Sequence, residues 1–206
     1  MKGSLRRFVV FEGPDGVGKS SLLQAVAQAL REQGEAVCTT REPGGSPAAE
    51  MLRSTLMQEA IGQAPVLSQL LLISAARVAH LQQTVRPALD AGQWVLCDRY
   101  VDSSYVYQCH LGGVPTATLD QLNQLLELPM PQLRLFLSLE PQKALERLAG
   151  RAESNRFDTQ RLDSWSRLAA AYARQQQWQP ESVQVLDAAP DLAALRQTCL
   201  EILHAL

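Results

Sequence analysis

Eight consecutive residues carry the first chemical signal: Gly13, Pro14, Asp15, Gly16, Val17, Gly18, Lys19 and Ser20. A glycine, four residues, then Gly-Lys-Ser is the spacing of a loop that wraps phosphate. The glycines permit a tight turn, so successive backbone N–H groups converge on an anion. Lys19 would reach the outer phosphates of a nucleoside triphosphate, and the Ser20 hydroxyl suits Mg²⁺. Such a motif requires a strand before it and a helix after it. "RFVVFE" has the composition of a buried strand, and residues 19–33 gather Leu22, Leu23, Val26, Ala27 and Leu30 on one helical face. Asp15 is out of character, a carboxylate in a loop built for anions. Motor ATPases, GTPases, transporters and small kinases all use this loop, so it names a ligand and no reaction.

Other polar groups also follow strand-like runs. Arg41 and Glu42 close "AVCTTRE", and Asp98 and Arg99 follow from "WVLC". Further along, "RAESNRFDTQR" is polar and rich in arginine. A lid at about residues 150–160, with Arg147, Arg151, Arg156 and Arg161 in or beside it, would neutralise phosphate charge and exclude water. A solvated charged loop is the competing reading.

The elements that must position these residues alternate along the chain. The strands are "RFVVFE", "AVCTTRE", "WVLCD", "LRLFLSL" and "SVQVLDA". Helical patterns fill 19–33, 47–58, 66–90 (as one helix or two), 116–127, 141–150, 161–178 and 191–205. This order predicts an α/β fold, a five-stranded parallel sheet with helices on both faces, in one domain spanning 1–206. Ligands of such sheets bind beyond the carboxyl ends of the strands, where the polar groups above all fall.

Composition excludes several partners. The net charge of -2 and an aromatic content of 5% argue against nucleic acid as a partner. The longest apolar run, "LLLISAA", is far shorter than a membrane span. The N-terminal segment lacks a long apolar run, so no secretory leader is expected, and Cys38, Cys97, Cys109 and Cys199 lack CxxC spacing. A soluble, cytoplasmic protein with free thiols is expected.

Four segments, in order, resemble the bacterial thymidylate kinases: "FEGPDGVGKS", "TREPGG", the "AAR" of "LLLISAARVAHL", and "DRYVDSSYVYQ". A looser fifth is "NRFD". The resemblance spans residues 8–158 and implies a nucleoside monophosphate kinase fold, a homodimer, and phosphorylation of dTMP to dTDP with ATP and Mg²⁺. It implies that Asp15 meets the acceptor's 3′-hydroxyl, which would explain the odd carboxylate. It places Arg53 and Arg99 at the acceptor phosphate and Asp98, through water, with Ser20 at the metal. Arg77 would read a thymine carbonyl. Glu42, Ile73, Ser104 and Gln108 would line the base pocket, and Tyr107 would crowd the sugar 2′ position. Lys19, Arg99, Arg151, Arg156 and Asp15 would act in transfer.

Taken without the resemblance, Arg53 and Arg77 read as exposed ion-pair partners on helices, Tyr107 as core, and Asp98 as a helix cap. The chain also departs from the family. Ile73 stands where a phenylalanine often stacks on thymine, and "YQCHLGGV" puts Cys109 and His110 where glycine and arginine are usual. His110 is expected in a loop, and "NRFDTQ" leaves Asp158 without an assigned role. A related kinase with another base preference and a non-catalytic nucleotide-binding protein stay open as alternatives.

Overall fold

The computed structural model describes residues 6–149 and 162–206. Strand β1 (Phe8–Glu12) is wholly buried, and its alternate residues feed two cores. Val9 and Phe11 join one cluster, while Phe8 and Val10 join the other, the two-residue period of a strand covered on both faces. β2 (Val37–Arg41), β3 (Trp94–Asp98), β4 (Leu133–Ser138) and β5 (Val183–Asp187) complete a five-stranded sheet. Its order is β2-β3-β1-β4-β5, and every pairing is parallel.

Helix α1 (Lys19–Glu32) buries Leu22, Leu23, Val26, Ala27 and Leu30, the face its spacing implied. It packs with α10 (Leu192–His204) on one side of the sheet. On the other side, α4 (Val66–His80) continues through a π-helical turn, Leu81–Val85, into α5 (Arg86–Asp90). Helix α2 (Pro47–Leu56) packs on α4 and starts with Ser46, whose side chain accepts from Ala49 N–H. A single turn, α3 (Glu59–Gly62), joins the two. Beyond β3, α6 (Val101–Ser104) runs on as π-helix through Leu111. Then come α7 (Thr116–Leu125), α8 (Pro141–Ala149) and α9 (Leu162–Gln175).

Two expectations need correction. Residues 101–111 are helical, although their mixed polar and aromatic sequence shows no clean period; His110 therefore sits on a helix, with Nε2 3.3 Å from Gln175 Oε1. Arg147 lies on α8, inside the helix expected over 141–150 and not in the lid itself, donating to the Val17 carbonyl at 3.4 Å and the Ala188 carbonyl at 3.1 Å. Arg151, Arg156, Asp158 and Arg161 lie outside the described residues. All four cysteines are free; Cys97, Cys109 and Cys199 are buried and Cys38 is half-buried. Among the described residues, no helix is long and apolar enough to cross a membrane.

One core feature was invisible in the sequence. Arg134, the second residue of β4, is fully buried. It donates to Asp102 Oδ1 at 2.8 Å, to the Trp178 and Gln179 carbonyls at 2.7 and 2.6 Å, and to Ser182 Oγ at 3.1 Å. A buried guanidinium is tolerable because these partners replace its hydration. The pair ties helix 101–111 to the segment that follows α9.

Candidate active site

The phosphate loop leaves β1 at Gly13, whose φ is 139°. A Cβ there would lie 2.5 Å from the Leu137 carbonyl oxygen, so only glycine lets the loop pass this close to β4. Gly18, in a left-handed conformation, caps α1, which aims its free N–H groups and positive end into the loop. Lys19 is buried beneath it, and Nζ donates to the Pro14 carbonyl at 2.8 Å. Burial, then the Arg99 charge, push the Lys19 ammonium down to about 8, against the pull of Asp98, Asp15 and Glu12.

Ser20 donates its hydroxyl to Asp98 Oδ2 at 2.6 Å. Asp98 therefore turns toward α1 and caps no helix of its own. Its Oδ1 is buried and has no hydrogen-bond partner among the described residues. A hydroxyl and a carboxylate with an unused oxygen form a hard-oxygen donor set suited to Mg²⁺ with several waters.

A cavity of about 170 Å³ opens beside the loop. Asp15, Glu42, Arg53, Ile73, Arg77, Arg99, Ser104, Tyr107 and Gln108 all line it, from five separate stretches of chain. Pro43, Leu56, Met57, Tyr100 and Ser103 line it too, and the sequence had not singled them out. Arg77 is 2% exposed, not a surface residue. It donates from Nε to Glu42 Oε2 at 2.6 Å, and from Nη2 to the Tyr100 carbonyl at 3.2 Å and Ser104 Oγ at 3.1 Å. Burial works against its charge, but Glu42, Tyr100 and Glu12 together more than offset this and the guanidinium holds its proton more tightly than usual. Nη1 is buried with no partner among the described residues. Arg53 donates to the Pro43 carbonyl at 2.8 Å.

Arg99 sits at the mouth of the loop with a φ of 71°. A non-glycine residue in this region costs about 1 kcal/mol or more, so its neighbours must hold it there. Its guanidinium lies 5.4 Å from the centre of the Tyr107 ring. Nη2 pairs with Asp15 Oδ1, and Nη1 donates to the Tyr172 hydroxyl and, at 3.2 Å, to Ser103 Oγ. Tyr172 was not anticipated. It lies on α9, where its spacing from Trp165 and Leu168 reads as plain core, and all three are indeed buried.

The Gly13–Ser20 loop and the cavity thus meet at the Asp15–Arg99 pair. The family profile for thymidylate kinase matches residues 11–198. This chain belongs to the thymidylate kinase family. It is 40% identical over 206 residues to the thymidylate kinase of Paracidovorax citrulli (strain AAC00-1), covering 96% of this chain and 92% of that one. It is 40% identical over 191 residues to the thymidylate kinase of Psychrobacter sp. (strain PRwf-1), covering 90% of each. Among solved structures it resembles thymidylate kinase from Ehrlichia chaffeensis, with a TM-score of 0.75 and 25% identity over 96% of this chain and 97% of that one. As a family member it is a kinase that transfers phosphate.

Proposed function

We propose that dTMP occupies the cavity around Arg77 and receives the γ-phosphoryl group of ATP in line, at the Asp15–Arg99 junction. The overall reaction is phosphorylation of dTMP to dTDP with ATP as donor. One observation supports the acceptor position most directly: Arg77 lines the cavity and keeps a buried N–H donor, Nη1, with no partner among the described residues. A thymine carbonyl is a fitting acceptor for it. Neither a shifted base preference nor a non-catalytic role is favoured by any feature of the site.

The acceptor phosphate is already an anion, so transfer needs positioning and charge neutralisation and no strong base. Arg99 and Arg53 hold the acceptor phosphate, where planar guanidinium forks grip oxygens well. Lys19 and the backbone N–H groups from Gly13 to Ser20 hold the donor phosphates. Asp15 orients the sugar 3′-hydroxyl, and Tyr107 crowds the 2′ position and favours deoxyribose. Ser20 directly, and Asp98 through water, would hold Mg²⁺. When bound, the ion neutralises the donor phosphates. Arg151 and Arg156 complete the positive charge in this reading, which also takes the protein as cytoplasmic.

A homodimer belongs to the same proposal. Leu67 and Leu71 stand one turn apart on α4, 46% and 51% exposed. A second copy would cover such a stripe.

The deciding experiment is an acceptor panel of dTMP, dUMP, dGMP and CMP with ATP. ADP release that depends on dTMP is expected, and its absence overturns the proposal. Lys19→Ala should lower turnover by about 100-fold or more; full turnover would refute the donor site.

A further inference from the structure

The Glu12 side chain takes over where a backbone acceptor would otherwise serve. β3 runs beside β1, and Arg99 N–H still donates to the Phe11 carbonyl at 2.9 Å. One residue later, Tyr100 N–H donates to Glu12 Oε1 at 2.8 Å. Between these two bonds the chain turns through the left-handed conformation of Arg99. Glu12 Oε1 also accepts from Ser103 N–H at 3.3 Å, and Oε2 accepts from the Ser103 hydroxyl at 2.8 Å. The carboxylate thus closes the free N–H end of helix 101–111 from a different strand. Ser103 Oγ in turn accepts from Arg99 Nη1 at 3.2 Å and lies 3.1 Å from the Tyr172 hydroxyl. Glu12 is fully buried and does not line the acceptor cavity, so it reaches substrate only through these neighbours.

We propose that Glu12 is a positioning residue for phosphate transfer, whose carboxylate fixes the Arg99 turn and, through Ser103, the aim of the Arg99 guanidinium. This inference rests on the assignment of Arg99 to the acceptor phosphate. A carboxylate suits the role because three donors converge on it. A glutamine offers one accepting oxygen and turns an N–H₂ toward the remaining donors.

The test is a double-mutant cycle in kcat with dTMP and ATP. Glu12→Gln should lower kcat about 10- to 100-fold, the scale of a small misplacement of a catalytic group, while KM for ATP stays within about twofold. Glu12→Asp, which keeps the charge, should retain more activity than Glu12→Gln. In an Arg99→Ala background, Glu12→Gln should cost less than about twofold more, because the group it aims is gone. A wild-type kcat in Glu12→Gln, or an equal loss in both backgrounds, overturns the proposal. A wild-type kcat in Arg99→Ala alone overturns the Arg99 assignment and this inference with it, so the two failures are distinguishable. If Glu12→Gln does not fold, Ser103→Ala, alone and with Arg99→Ala, carries the same cycle with the same outcomes.

Discussion

Arg77 and Glu42 form a closed ion pair: Nε and Oε2 are 2.6 Å apart, and the two side chains are 1% and 3% exposed. Glu42 Oε1 lies 3.0 Å from His80 Nδ1, and His80 Nε2 lies 2.7 Å from Thr40 Oγ1. The "TREPGG" segment and α4 are therefore joined by one buried polar chain. Arg77 is held in this chain through Nε, while its Nη1 is buried with no partner among the described residues.

Arg77→Ala and Arg77→Lys together test the ion pair and the proposed base contact. Arg77→Ala strands the Glu42 carboxylate, which should cost about 3–5 kcal/mol of stability by urea denaturation. Arg77→Lys keeps a charge but loses the fork, and KM for dTMP should rise about 10- to 100-fold, the value of a hydrogen bond from a charged donor. An unchanged KM would remove Arg77 from base recognition.

Ile73 lines the same cavity with an aliphatic surface. Ile73→Phe should add a stacking face worth about 0.5–1.5 kcal/mol, seen as a two- to tenfold lower KM for dTMP. A higher KM would mean that the ring does not reach the base plane.

Asp98→Asn keeps size and shape but removes the charge beside Ser20. The Mg²⁺ concentration for half-maximal rate should rise about tenfold, with KM for dTMP little changed. A Mg²⁺ titration that does not move would take Asp98 out of the metal site.

Glu12 predicts a pH effect on stability. Burial first, and then the Asp102 charge, raise its carboxyl from 4.5 to about 7, while Arg99 and the bonds from Ser103 and Tyr100 pull it back. The folded protein therefore holds this proton more tightly than the unfolded chain. That contribution to stability is complete below pH 4.5 and is lost as pH rises through about 7. Glu12→Gln, which cannot ionise, should show a flatter stability profile across this window. Urea titrations near pH 5 and near pH 8 measure it, and parallel profiles would contradict the shift.

Leu67→Glu combined with Leu71→Glu should convert a dimer to a monomer, because burying two carboxylates at an apolar interface is costly. Sedimentation at micromolar concentration reads the mass. A wild-type monomer would already refute the dimer.

The five strands, the helical face of α1 and the phosphate loop were legible because local chemistry dictates them. Apolar runs make strands, a 3.6-residue period makes a helix face, and Gly13 answers a close approach that no other residue permits. That Arg53 and Arg77 share one cavity was legible only through family resemblance, since alone both look like surface arginines. What the sequence determined by itself was the set of elements and the glycine-rich turn from β1 into α1. What only the tertiary structure decided was the second layer of partners. Arg99 meets Tyr172 across 73 residues, Arg134 meets Asp102 across 32, and Tyr100 meets Glu12 across 88. No periodicity reports such contacts, because each depends on where two elements pack in the folded sheet, not on the spacing within either one.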